Sequence, residues 1–358
     1  MRQLRIALVG FGNVGRRFAE LLPGPYGRVL RANGVRPVVT GIATGRHGLA
    51  VDARGLPMAR ALRLVRGGRP LNALHRGPAL DRVTDFVRRV PADVLVEISP
   101  LDPGRGEPAT SHVRAALRRG LHVVTANKGP VAFARRSLLA LARRRGRLFL
   151  HEGAVMDGTP IFNLYERCLP GARVLGFRGV LNSTTTRILS RLEEGVSFDA
   201  ALREAQAAGV AEADPRNDID GWDAAVKGCA IANALMGADV RPRSVRRRGI
   251  AGITLADVAR ARADGSRIRL VVRGHRVSRR VRVTVAPERI PIGDLLVTPG
   301  ADGILVLETD LMREIGIWEG PGGVDQTAYA ILSDLVAVAR DRGTRSALKR
   351  GPARERRR

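Results

Sequence analysis

Two lysines stand deep inside a chain that otherwise uses arginine as its cation. Only three of the 61 basic residues are lysine: Lys128, Lys227 and Lys349. Arginine does not give up its proton, whereas the pKa of a partly buried lysine can be moved into a useful range. Lys227 follows Asp223 by four residues in a helical stretch, so the two share a face. A surface ion pair is the ordinary reading of that spacing. A dense run of acids beside it, Glu212, Asp214, Asp218, Asp220 and Asp223, argues for more. In a chain of net charge +27, such a patch suits a substrate ammonium group. Lys128 lies in Val124-Thr125-Ala126-Asn127-Lys128-Gly129, at the C-terminal end of a predicted parallel strand. That edge is where open α/β sheets bind ligands. Lys349 sits in the polar tail and reads as chance retention.

A second constellation lies near the N-terminus. Gly10-Phe11-Gly12-Asn13-Val14-Gly15 follows a predicted strand and opens a helix. The first glycine permits the tight turn, the second lets backbone approach a pyrophosphate, and the third allows helix and strand to pack closely. An NAD site normally carries an acid about 20 residues on, for the ribose 2′-hydroxyl. Here no Asp or Glu occurs between Glu20 and Asp52, and the second strand runs into Thr44-Gly45-Arg46-His47. Arg46 is suited to a bidentate contact with a 2′-phosphate. The expected cofactor is therefore NADP(H), with NAD(H) possible.

The elements that must position these residues fall into two groups. Residues 1–150 alternate strands (Leu4–Gly10, Val35–Ala43, Val94–Ser99, Leu121–Thr125, Arg147–His151) with helices (Val14–Leu22, Pro108–Arg119, Pro130–Arg145). That rhythm predicts βαβ units and a parallel sheet, a Rossmann dinucleotide-binding domain. Residues 151–318 change character. Helices are predicted at Pro160–Cys168, Thr185–Glu194, Phe198–Ala208 and Ile219–Met236, followed by strands at Arg267–Val272, Arg280–Val285 and Ile304–Thr309. This reads as a second, α+β domain. A last helix at Val324–Arg342, after the turn Gly320–Gly323, is expected within the segment 319–342 to pack back on the first domain, and residues 343–358 to form a basic, disordered tail.

Composition excludes several classes. No apolar run approaches the ~20 residues of a membrane helix. The apolar stretch Ile6–Val9 is too short for a secretory signal, so the cytoplasm is the expected compartment. Two cysteines, Cys168 and Cys229, cannot build a disulfide scaffold. The positive charge invites a nucleic-acid reading, but the arginines are scattered and only 4% of residues are aromatic, so no stacking groove is evident. Specific nucleic-acid binding is not expected.

Longer motifs carry a resemblance. VVTANKGPVA (Val123–Ala132), HEGAVMDGTPIF (His151–Phe162), GVLNSTTTRILSRLEEG (Gly179–Gly195), AQAAGVAEADPRNDIDGWDAAVK (Ala205–Lys227) and GGVDQTAYAILSDL (Gly322–Leu335), with the glycine fingerprint, resemble the homoserine dehydrogenase family over nearly the whole chain to about residue 342. The resemblance implies NAD(P)-dependent interconversion of L-homoserine and L-aspartate 4-semialdehyde, a step of threonine, methionine and isoleucine biosynthesis, by a homodimer in which residues 151–318 serve substrate binding, catalysis and dimerisation. It implies that Lys227 transfers the proton, that Asp223 orients it, and that Lys128 is a second active-site lysine near both nicotinamide and substrate. Glu212 and Asp218 match substrate carboxylates, and Ser183 and Thr184 the turn against the substrate. Ser99 and Gly323 match positions that close over the cofactor. Glu152, Val155, Asp157 and Thr159 match a loop that binds a monovalent cation, typically sodium, mostly through backbone carbonyls. There are departures: Ser183 stands where the family often has glycine, and Glu319 replaces the first glycine of the C-terminal motif. The resemblance also implies a monofunctional chain without a C-terminal regulatory domain. Its alternative is a dehydrogenase of another amino-acid semialdehyde on the same plan.

Overall fold

A computed structural model describes residues 1–211 and 214–341; Glu212 and the basic tail lie outside the described residues. Twelve strands form two six-stranded sheets among these residues. The first sheet contains β1 (Arg2–Val9), β2 (Val35–Ala43), β3 (Leu49–Val51), β4 (Val94–Glu97), β5 (His122–Thr125) and β6 (Phe149–Leu150), in the order β3-β2-β1-β4-β5-β6. All neighbours are parallel except the short β3, which turns back antiparallel on β2. Val94, Leu95 and Val96, like Val123 and Val124, are fully buried, as expected where helices cover both faces of a parallel sheet. The order reverses between β1 and β4, so the glycine turn after β1 opens onto a topological switch point.

The second sheet contains β7 (Val174–Val180), β8 (Arg246–Arg247), β9 (Ser266–Val277), β10 (Arg280–Pro291), β11 (Gly303–Thr309) and β12 (Arg313–Glu319), in the order β12-β11-β7-β9-β10-β8. It is antiparallel except for the β10–β8 pair. Helices Ser183–Glu193 and Trp222–Leu235 lie against it, and the latter also packs on helix Lys128–Arg144 of the first domain. Asn233 in that contact donates its Nδ2 to the Ala132 and Val240 carbonyls at 3.0 and 2.9 Å. Lys128 and Lys227 are thus carried by two helices that touch.

One expected element needs correction. The stretch Ile219–Met236 is not one helix: a short turn Arg216–Ile219 ends before Gly221, whose φ of +77° breaks the path, and the helix starts afresh at Trp222. A side-chain carbon on Gly221 would also press within 3.2 Å of Val285. The terminal helix begins at Val324, where the sequence places it, after Glu319 closes β12 and a glycine-rich turn intervenes. That helix lies along helix Asn13–Leu21, with Ala328, Ile331, Leu332 and Leu335 buried in the same cluster as Leu4, Ile6 and Leu8 of β1. Arg17 and Asp325 join the two helices through a bidentate ion pair at 2.6 and 2.8 Å.

β7 and β9 meet at Phe177 opposite Gly274, where a side-chain carbon would sit 2.1 Å from the Phe177 ring. Gly274→Ala is therefore expected to push the ring from its place, costing about 1–3 kcal/mol and lowering the thermal unfolding midpoint. An unchanged midpoint would mean that the ring moves aside freely.

Candidate active site

The glycine turn has the geometry its pattern implies. Gly10 has φ +102°, and a side-chain carbon there would lie 2.3 Å from the Ile98 carbonyl. Gly12 faces open space, which leaves room for a diphosphate, and Gly15 packs against Ile98 Cδ1 and the Gly10 carbonyl. Phe11 is buried in the core, Asn13 accepts from Arg16 Nη2 at 2.7 Å, and Val14 is half-buried. Arg46 stands exposed on the tight turn from β2 to β3, in which Thr44 N–H donates to the Gly48 carbonyl and His47 N–H to Thr44 Oγ1. Ser99 lies one residue beyond the end of β4, after Ile98, with its backbone N–H beside Gly10. Gly323 precedes the terminal helix and accepts from Thr327 N–H at 3.2 Å. These residues fit a nicotinamide dinucleotide: a diphosphate over the open glycine, a cation at the ribose end and no acid against it.

The two interior lysines converge on one carboxylate. Lys128 Nζ lies 3.1 Å from Asp223 Oδ1, and Lys227 Nζ 3.5 Å from Asp223 Oδ2. Lys227 also donates to the Leu181 carbonyl at 2.5 Å. Asp223 and Lys227 retain about one-seventh of their side-chain exposure and Lys128 a quarter, so the cluster is screened but reachable from outside. Burial would push the Asp223 carboxyl up, but the two ammonium groups and Asn182 hold it well below the usual carboxylate range. Burial pulls Lys227 down, and Asp223, then Asp157, Glu319 and Asp218, more than offset it, leaving its pKa above the ordinary lysine value. The group stays an ammonium ion at neutral pH.

Asn182 organises the acids. Its Nδ2 donates to Asp218 Oδ1 at 2.7 Å and to Asp223 Oδ2 at 3.0 Å, while its Oδ1 caps the next helix by accepting from Thr185 N–H at 2.9 Å. Nothing in the residue pattern singled it out as a site residue; its position ahead of Ser183-Thr184-Thr185-Thr186 marks it only as an N-cap. Thr184 donates to the Val210 carbonyl at 3.1 Å, and Ser183 is exposed at the helix start. Burial and the Asp223 charge push the Asp218 carboxyl up, against Asn182, Thr184 and Lys227. Asp214 is exposed and paired with Arg216.

The loop 152–159 lies between the domains. Glu152 is buried and spends its carboxylate on helix Phe162–Cys168, accepting from Ile161, Phe162 and Asn163 N–H at 2.5, 3.0 and 2.8 Å. Its own N–H donates to Asp334 of the terminal helix at 3.1 Å. Val155 is buried, Asp157 turns the backbone at φ +38° and accepts from Thr327 Oγ1 at 3.0 Å, and Thr159 N–H donates to the Met156 carbonyl at 2.8 Å. No group of three His, Cys, Asp or Glu among the described residues could hold a metal ion, so a cation here would rely on carbonyl oxygens. Glu319 adds an acid that the pattern does not anticipate in this role. Burial and Asp157 push its carboxyl up to about 7, with Lys227 pulling the other way.

Comparison with known proteins agrees with this geometry. Residues 160–336 match the homoserine dehydrogenase family model, and residues 10–152 the model of the homoserine dehydrogenase NAD-binding domain. The chain is 35% identical to a homoserine dehydrogenase of Methanocaldococcus jannaschii, covering 93% of this chain and 98% of that protein. It is 34% identical to an NAD(+)-dependent homoserine dehydrogenase of Pseudomonas canavaninivorans, covering 94% and 97%. Among solved structures, a putative homoserine dehydrogenase of Archaeoglobus fulgidus superposes with a TM-score of 0.82 at 33% identity, covering 94% of this chain and 99% of that one. A hyperthermophilic archaeal homoserine dehydrogenase in complex with NADPH gives 0.78 at 27% identity, covering 98% and 100%. The family is one of NAD(P)-dependent oxidoreductases acting on a CH–OH group, and the nucleic-acid reading is not favoured. No helix among the described residues is long and apolar enough to cross a membrane. From fingerprint, paired lysines and these likenesses together, the chain belongs to the homoserine dehydrogenase family.

Proposed function

We propose that the protein interconverts L-homoserine and L-aspartate 4-semialdehyde, with Lys227 as the proton-transferring group. The observation that carries this reading is the Lys128–Asp223–Lys227 cluster, held by two helices in contact at the junction of the domains. When bound, the nicotinamide supplies or accepts the hydride at the substrate carbon. Lys227 gives a proton to the aldehyde oxygen in reduction and takes it from the hydroxyl in oxidation. Lys128 adds positive charge where alkoxide develops. Asp218, with Glu212, receives the substrate ammonium group, while Ser183 and Thr184 floor the pocket, turning orientation into rate. Carbonyls of Glu152, Val155, Asp157 and Thr159 would hold a sodium ion that stiffens the loop between domains.

The test is nicotinamide reduction by the purified protein with L-homoserine, run against a panel of other hydroxy amino acids. Turnover of another member and not of homoserine would favour the alternative semialdehyde. We infer a preference for NADP(H), with NAD(H) accepted. The acid-free turn carrying Arg46 and the NADPH complex of one relative support it; the NAD(+)-dependent relative makes the turn itself the deciding element. Arg46→Ala is expected to raise KM for NADPH about 10–100-fold, the scale of a lost charge-assisted bond, and to leave KM for NADH within about twofold. Equal losses for both nucleotides would refute the assignment.

We further place this activity in a cytoplasmic homodimer serving threonine and methionine biosynthesis. Ile6–Val9 pairs with β2 and β4 at the centre of the first sheet, a structural use of that apolar stretch. Exposed Trp318 and Leu295, both on the outer face of the second sheet, support a contact between copies there.

A further inference from the structure

Glu97 ends β4 with its side chain fully buried, yet nothing in the reaction above uses it. Its Oε1 accepts from Ser99 twice, in a short bond from Oγ and at 3.3 Å from N–H, and lies 3.5 Å from His112 Nδ1. Oε2 is buried without a hydrogen-bond partner among the described residues. A buried carboxylate oxygen left unpaired is costly, so a purely structural role is poorly served by this residue.

What Glu97 holds is placed strategically. The Ile98–Ser99 peptide packs directly on Gly10, whose missing side chain makes room for it. On the other side the Ser99 carbonyl accepts from Asn127 Nδ2 at 2.8 Å, and Asn127 Oδ1 caps the helix that begins at Lys128 by accepting from Gly129 N–H at 2.8 Å. Thr125 Oγ1 donates to the Glu97 carbonyl at 2.8 Å, tying the same strand end to β5. Ser99 is thereby fixed through its hydroxyl, amide and carbonyl, between the glycine turn and the first active-site lysine.

We propose that Glu97 is a positioning residue for the cofactor: by gripping the hydroxyl and amide of Ser99, it holds the loop after β4 in the shape that receives the dinucleotide. The inference rests on the dinucleotide reading given above. It is tested by equilibrium titration with NADPH, followed through the nucleotide's fluorescence, on wild type, Glu97→Gln, Ser99→Ala and the double variant. Each single change is expected to weaken binding about tenfold, and the double variant no more than about twofold beyond the weaker single, because both break one connection. In Glu97→Gln the cofactor KM should rise by the same factor while kcat at saturating cofactor falls less than about threefold. Wild-type binding by Glu97→Gln, or losses that multiply in the double variant, would overturn the proposal. Should Glu97→Gln fail to fold, Ser99→Ala decides alone, and undiminished binding by it overturns the proposal equally. A wild-type chain that binds neither NADPH nor NADH would instead remove the dinucleotide reading, and this inference with it.

Discussion

Lys227→Ala is expected to lower kcat for homoserine oxidation by about 10²–10⁴-fold, the usual contribution of a positioned proton-transfer group. Lys227→Arg should be as slow. A guanidinium restores the charge but cannot release a proton in the working pH range, and its planar fork is poorly matched to a site where one nitrogen meets both the Leu181 carbonyl and Asp223. Two further readouts separate lost chemistry from lost folding. NADPH binding should persist in both variants, because the glycine turn lies on another element. Small primary amines added to Lys227→Ala should restore part of the rate, since the cavity left beside Leu181 would admit them. Turnover within about threefold of wild type by either variant contradicts the proton-transfer role.

The parts of the fold with strong local periodicity were readable from the residues. The first sheet's five parallel strands, the fingerprint and the helix after it follow from contiguous apolar runs and three glycines, and all lie within a few residues of where pattern places them; the three-residue β3 is too short to leave such a run. β7 and β12 escaped. β7 reads Val-Leu-Gly-Phe-Arg-Gly-Val, and its two glycines weaken a strand signal; one of them is needed because a side chain on Gly179 would meet the Ile304 carbonyl at 2.7 Å. β12, Arg-Glu-Ile-Gly-Ile-Trp-Glu, carries charges at both ends and places Trp318 in the open. It pairs with β11 as a hairpin across Asp310–Met312, a turn with no glycine to announce it.

The site shows the same division. Asp223 and Lys227 could be paired from their spacing of four, because a helix brings such residues together. That Lys128 reaches the same carboxylate could not be read locally: the partners lie almost a hundred residues apart, and the helix contact at Asn233 and Ala132 that joins their domains has no signature in either segment. Asn182 and Glu97 were missed for a related reason. Each looks like an ordinary cap or strand end until tertiary structure shows that carboxylates face Asn182 and that Ser99 donates to Glu97.

The second large effect is expected from Asp223→Asn, and it is a displacement of the pH profile. In the wild type, oxidation requires the free amine of Lys227, whose pKa lies above the ordinary lysine value. The kcat/KM for homoserine should therefore rise about tenfold per pH unit from neutrality, with no plateau below pH ~10. Reduction requires the ammonium form and should stay flat over that range. The asparagine variant keeps the shape but removes the strongest attraction on Lys227, while burial continues to oppose its charge. Asp157, Glu319 and Asp218 remain as weaker supports. An opposite charge at this distance is worth roughly 1–3 pKa units. The oxidation profile should accordingly bend over at a pH lower by about that much, and reduction should begin to fail at the same point as the ammonium is lost. The maximal rate falls as well, since an unheld lysine samples orientations that miss the substrate oxygen. A variant whose profile superimposes on the wild type, merely scaled down, would mean that Asp223 supports the helix and not the proton, and that the titrating group must be sought elsewhere in the cleft.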